Sequence, residues 1–283
     1  MKLNRIFIVF ILLFTVGCGQ LISSAKKDFA NDLAETIKNH NDPETIKQAI
    51  PTYLVLISSM IKGDGENVDL LLSGSKLYGS YASIFVDDAD RKLVLSQQAY
   101  DYAIKAVCIK KPMACSLKSV SYYEYEQILN TFEKEDADLL FTLGGAWAGL
   151  IQANSSDWNA IADLPKVKTT ITKVIQLDET ISNGDAHLYM AVMQSFLPPA
   201  MGGKPDEAKT HFERALQISN DTNLMALLLY AEKYARLVFD KELHDRLLIK
   251  LLNSTNNDSD NMLINIIAKS KAKILLEGSN DYF

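Results

Sequence analysis

The side chains in this sequence that could do chemistry are few and scattered. Its four histidines, His40, His187, His211 and His244, lie far apart and form no ligand set of recognisable spacing, so each reads as a hydrogen-bonded packing residue and neither a metal site nor a cofactor is expected. Asp178 and Glu179 are adjacent carboxylates, but neighbouring positions on a helix point about 100° apart and do not face one another. They read as a solvated helix end. No His-Glu-x-x-His, no phosphate-cradling glycine loop, no Gly-x-Ser-x-Gly elbow and no cysteine with a nearby histidine is present, so no enzyme is expected. Cys108 and Cys115 flank a segment broken by Pro112. A disulfide closing that short loop is one reading, worth roughly 2 to 3 kcal/mol in the chain-entropy model; two buried thiols are the other.

The third cysteine sits elsewhere. Lys2 and Arg5 precede an apolar run from Ile6 to Val16, which stops at Gly17, Cys18 and Gly19. A membrane-spanning helix needs roughly 20 apolar residues, so this run is an export signal. Thr15-Val16-Gly17-Cys18 resembles a lipobox, in which the cysteine receives a diacylglyceryl group and becomes the mature N-terminus, although Thr15 stands where leucine is usual. The resemblance implies residues 1–17 as signal peptide, 18–27 as lipidated tether and 28–283 as one folded domain. Gly19 and Gln20 follow in place of the aspartate that retains such proteins in the inner membrane, so the expected location is the outer membrane, facing the periplasm.

Composition supports a folded domain: 48% hydrophobic and 23% charged residues, with little Gly or Pro. The net charge of −6 comes from 29 basic and 35 acidic residues spread along the chain, which leaves no basic stripe for nucleic acid. Nearly every segment has helical apolar spacing. Phe29, Leu33 and Ile37 share one face within Asp28–Asn39. Asp42 can cap and Pro43 can open a helix that ends near Gly63. Further helices are predicted over Val68–Phe85, Arg91–Ile109, Tyr122–Phe132, Ala137–Asn154, Lys166–Leu177, Asp185–Leu197, Pro205–Ile218, Asn223–Phe239, Lys241–Leu252 and Met262–Leu276. The fold class is all-α.

Within Pro205–Ile218, Ala208, Phe212, Ala215 and Leu216 have the spacing of the second helix of a tetratricopeptide-like repeat. Weaker echoes occur at Ala99, Tyr100 and Ala103 and at Val167, Ile171 and Val174. First-helix likenesses occur at Leu77-Tyr78, Leu143-Gly144 with Trp147, and Leu188-Tyr189 with Ala191. Their irregular period predicts divergent helical hairpins packed into a compact, closed bundle able to surround a cavity. Most of the aromatic stripes, Trp147 included, read as core.

The block Leu197-Pro198-Pro199-Ala-Met-Gly202-Gly203-Lys-Pro205 followed by Asp-Glu-Ala208 is a hinge loop on local grounds: the prolines end one helix, the glycines can take positive φ, and Pro205 starts the next. With Gly145-Ala-Trp147, Asp163-Leu-Pro165, Gln176-Leu-Asp178-Glu179 and Gly184-Asp-Ala-His187, it also resembles the T-component lipoproteins of TRAP transporter systems (TatT), best over 138–252. The resemblance implies a homo-trimeric periplasmic lipoprotein that binds the solute-binding P-component of a TRAP-type importer and carries a cavity for a small ligand. Gly144, Trp147, Tyr189 and Met193 are the expected cavity or interface lining, with Trp147 and Trp158 as candidate aromatic anchors. The alternative is a general tetratricopeptide scaffold for envelope proteins, which would offer only a concave groove for extended peptides.

Overall fold

Local side-chain chemistry starts most of the helices where the sequence predicts them. A computed structural model describes residues 29–30, 32–255 and 261–283; Cys18, the signal segment and the tether lie outside the described residues. After a helical segment over 32–38 (α1), Asp42 accepts the Glu44 backbone N–H at 3.0 Å and Pro43 opens α2, Pro43–Gly63. Asn67 caps α3 (Val68–Phe85) through the Leu70 N–H, and Asp88 caps α4 (Ala89–Lys110) through the Arg91 N–H. Each such cap satisfies a donor that helix geometry orphans.

A short 3₁₀ turn at Pro112–Ser116 follows, and a disulfide joins Cys108 to Cys115 across it. Ser121 and Glu124 then form a reciprocal capping box for α5 (Tyr122–Asn130). Next come α6 (Ala137–Ala153), the short α7 (Trp158–Ala162), α8 (Leu164–Leu177), α9 (Asp185–Gln194) and α10 (Pro205–Ile218). The chain closes with α11 (Leu224–Leu229), α12 (Lys241–Leu252), α13 (Met262–Glu277) and α14 (Ser279–Tyr282). No strand occurs among the described residues, and none of their helices is long and apolar enough to cross a membrane.

The elements pack mostly in chain order, α3 on α4, α4 on α6, α6 on α8 and α9 on α10, and α13 returns to α2. That return closes the bundle: Leu263 and Ile267 of α13 join Ile46, Ile50 and Leu54 of α2 in one apolar cluster. A larger core runs from α2 to α9 around Leu140, Leu143, Trp147, Val167 and Ile171. A third is built on Phe212, whose ring stacks on Tyr230 with centroids 4.8 Å apart.

Two expectations need correction. The helix expected over Asn223–Phe239 is α11 followed by a π-helical turn, Tyr230–Ala235, and it stops at Phe239 with φ 57°. Tyr230, Ala231, Tyr234 and Ala235 of this turn are all buried. α9 also ends at Gln194, short of the expected Leu197. A proline crowds the carbonyl four residues before it, and for Pro198 that is the carbonyl of Gln194, which accepts from Lys204 N–H at 3.0 Å instead. In the same loop Gly202 takes φ 90° as expected, whereas Gly203 is needed for close approach: a Cβ there would stand 1.7 Å from the Leu197 carbonyl oxygen.

Candidate functional site

The four expected lining residues divide between the core and the surface. Trp147 is fully buried, with Tyr100 and Tyr125 against it at centroid distances of 5.5 and 6.3 Å. Gly144 faces α8, where an added Cβ would meet Ile171 Cδ1 at 2.6 Å, so the glycine lets α6 and α8 approach. Met193 is buried in the same core. These three are packing residues whose surface is used up by their neighbours. Trp158, the second candidate anchor, stands 73% exposed on α7, far more open than Trp147.

Tyr189 behaves differently. It is 37% exposed, yet its hydroxyl is pushed up to about 12, chiefly by burial and then by the charge of Asp185. Its ring meets Phe141 of α6 edge-on at 5.5 Å, and its hydroxyl lies over Gly145, where an alanine methyl would come within 3.3 Å. One turn further along α6, Gly149 has open space where a side chain would stand. The glycines of α6 therefore seat the Tyr189 ring at Gly145 on one side of the helix and serve as a packing notch at Gly144 on the other.

Asp185 is the residue on this face that sequence reading passed over. It lies one turn before Tyr189 on the same face of α9 and accepts from Asn223 Nδ2 at 2.9 Å. Burial pushes its carboxyl up to about 6, against the Asn223 hydrogen bond and the charge of Lys38 from α1. An acidic residue at a helix start reads in sequence as a favourable partner of the helix dipole, which hides its burial. Such a shift marks a candidate functional group. The position is set by a tight turn in which Ser182, Asn183 and Gly184 all have left-handed φ of 48°, 59° and 88°, conformations that L side chains adopt only under constraint.

The sign of the Asp185 effect on stability is fixed by its direction. The folded chain holds this proton more tightly than the unfolded one, so between about pH 4 and pH 6 stability falls as pH rises, and above that window a constant penalty remains. Asp185→Asn keeps an acceptor for Asn223 and removes the charge. It is expected to add about 1 to 2 kcal/mol at pH 7 and to flatten that pH dependence in urea titrations. An unchanged pH profile would show that the carboxyl is not held as described.

On the opposite side of α9, two histidines 24 positions apart in sequence come together: His187 Nδ1 lies 2.9 Å from His211 Nδ1 of α10, with ring centroids 5.1 Å apart. His187 Nε2 is 3.4 Å from Glu179 Oε2, and Arg214 holds Glu179 through Nε at 3.0 Å and Nη2 at 2.5 Å. Glu179, its side chain 39% exposed just past the end of α8, is the solvated helix end expected and is also part of this network; the Arg214 hydrogen bond holds its carboxyl low. Burial holds both imidazoles below the usual histidine range, and each is therefore neutral near pH 7. His40 Nδ1 accepts from the Asp42 N–H, and His244 is fully buried against Asp245 and Phe283. Among the described residues no group of three or more His, Cys, Asp or Glu side chains could hold a metal ion.

Residues 39–283, nearly the whole chain, match the family model described as TAtT: TRAP transporter T-component. No curated protein matches the chain.

Proposed function

Because the chain belongs to the TRAP transporter T-component family, we propose that it is the periplasm-facing lipoprotein of a TRAP-type uptake system, binding that system's solute-binding protein. The observation that carries this reading is the family match over residues 39–283, which takes in both halves of the closed bundle. The surface formed by Tyr189, Phe141 and Gly145, with Asp185 beside it, is the place where a small ligand would pause. An aromatic ring and glycine backbone favour an apolar body, while Asp185 and the Tyr189 hydroxyl supply the few polar groups that orient a ligand in an apolar pocket.

Cys18 is the lipid-attachment site in this proposal, and the anchored chain sits at the outer membrane as a homo-trimer. The test is extraction of the anchored protein from its native envelope in mild detergent, with mass spectrometry of what co-purifies. Recovery of a TRAP-type solute-binding protein in stoichiometric amount is the expected result. Recovery of several unrelated envelope proteins without it would replace the importer reading with that of a general helical scaffold.

A further inference from the structure

The histidine pair between α9 and α10 puts two imidazole nitrogens within reach of one ion. Glu179, fixed by Arg214, faces Nε2 of His187. An N–H at Nε2 donated to that carboxylate leaves the lone pair on Nδ1, and this is how carboxylates behind metal-bound histidines set the tautomer and turn the ring. His211 Nδ1 lies 2.9 Å away and donates to that lone pair; once this proton leaves, a modest turn of each ring brings both lone pairs onto one ion. Two nitrogens each about 2.0 Å from an ion stand about 2.9 Å apart when they are cis ligands in a square plane, the geometry that Cu²⁺ and Ni²⁺ favour. Glu207 lies one turn before His211 on α10 and adds negative charge near the pair, although its oxygens are engaged by Gln194 and Lys204. The His187 side chain is 8% exposed and His211 is partly accessible, so solvent reaches the pair from the α10 side.

We propose that His187 and His211 form a two-imidazole site for a divalent first-row transition ion, with Cu²⁺ bound most tightly and water completing the coordination. The proton now shared between the two Nδ1 atoms moves to Nε2 of His211 when the ion enters, so both rings ligate in their neutral form. The preference for Cu²⁺ follows from nitrogen ligation and the general affinity order of divalent ions. An ion there would pin α9 to α10. Tyr189 stands two residues after His187, hence on the far side of α9, so the pin also fixes the Tyr189 face.

The test is a Cu²⁺ titration of the purified chain, followed by calorimetry and by electron paramagnetic resonance. The expected result is one ion per chain with hyperfine structure from two nitrogens. His211→Gln should weaken binding about tenfold or more and leave a one-nitrogen pattern. Glu179→Gln, which keeps both rings, should weaken it by about tenfold, the usual effect of removing a carboxylate behind a metal-bound histidine. Far-UV circular dichroism shows that each variant is folded, and His40→Gln should change nothing. Absence of binding, or binding that survives His211→Gln or is lost in His40→Gln, would overturn the proposal and leave the pair as a proton-sharing hydrogen bond.

Discussion

Trp147→Ala is expected to destabilise the protein by about 3 to 5 kcal/mol, measured by urea or guanidinium unfolding. The indole is fully buried between Tyr100 of α4 and Tyr125 of α5, at the junction where α4, α5 and α8 meet α6. The neighbours that would have to relax into the hole are themselves tied. Tyr125 donates its hydroxyl to the Lys166 carbonyl at 3.0 Å and contacts Thr170, while Lys166 Nζ donates to the carbonyls of Lys118 and Val120 at 2.8 and 2.9 Å. A site walled by fixed groups collapses poorly, which places the cost in the upper part of the range for aromatic truncation. Trp158→Ala is the internal control: with 73% exposure it should shift stability by no more than about 0.5 kcal/mol. Equal effects at the two tryptophans would contradict this division between core and surface. The comparison also guards the functional test, since partner binding lost in Trp147→Ala would reflect unfolding.

Gly203→Ala is expected to be the more damaging of two neighbouring glycine substitutions, at about 3 kcal/mol or more. The added methyl would stand 1.7 Å from the Leu197 carbonyl oxygen and 3.0 Å from that of Pro198, both backbone atoms that cannot swing aside. The backbone must therefore shift, and the bonds from Gly203 N–H to the Pro198 carbonyl and from Lys204 N–H to the Gln194 carbonyl would go with it. Gly202→Ala meets nothing within 4 Å and suffers only from its left-handed backbone at φ 90°, a penalty of about 1 to 2 kcal/mol. Positive φ alone would order the two the other way, so the ranking in chemical denaturation decides between steric closure and torsional freedom as the reason for the paired glycines.

The parts of the fold legible in the sequence are those fixed by short-range chemistry. α2, α3, α10 and α12 begin and end at the residues expected, Pro43–Gly63, Val68–Phe85, Pro205–Ile218 and Lys241–Leu252. Proline can occupy a first helical turn, Asx side chains at three of these starts accept orphan N–H groups, and apolar residues one turn apart must face the same core. The family resemblance rests on the same local blocks and covers 138–252, while the match extends over 39–283. The π-helical turn at Tyr230–Ala235 was not legible, because it depends on how Phe212 and the α10 face receive Tyr230.

For the site, the sequence by itself determined which residues were available: glycines at 144, 145 and 149 of α6, Tyr189 on α9, a histidine on each of α9 and α10. Packing settles which of them meet. Helix rotation turns Gly144 and Trp147 into the core and leaves Gly145 under Tyr189. Helix pairing brings His187 to His211 and Glu179 to Arg214, and burial gives Asp185 its displaced proton affinity. The physical reason is that caps and apolar periodicity act within a turn or two along the chain. The facing of two helices, the space between them and the desolvation of a carboxyl are set by packing summed over the whole bundle.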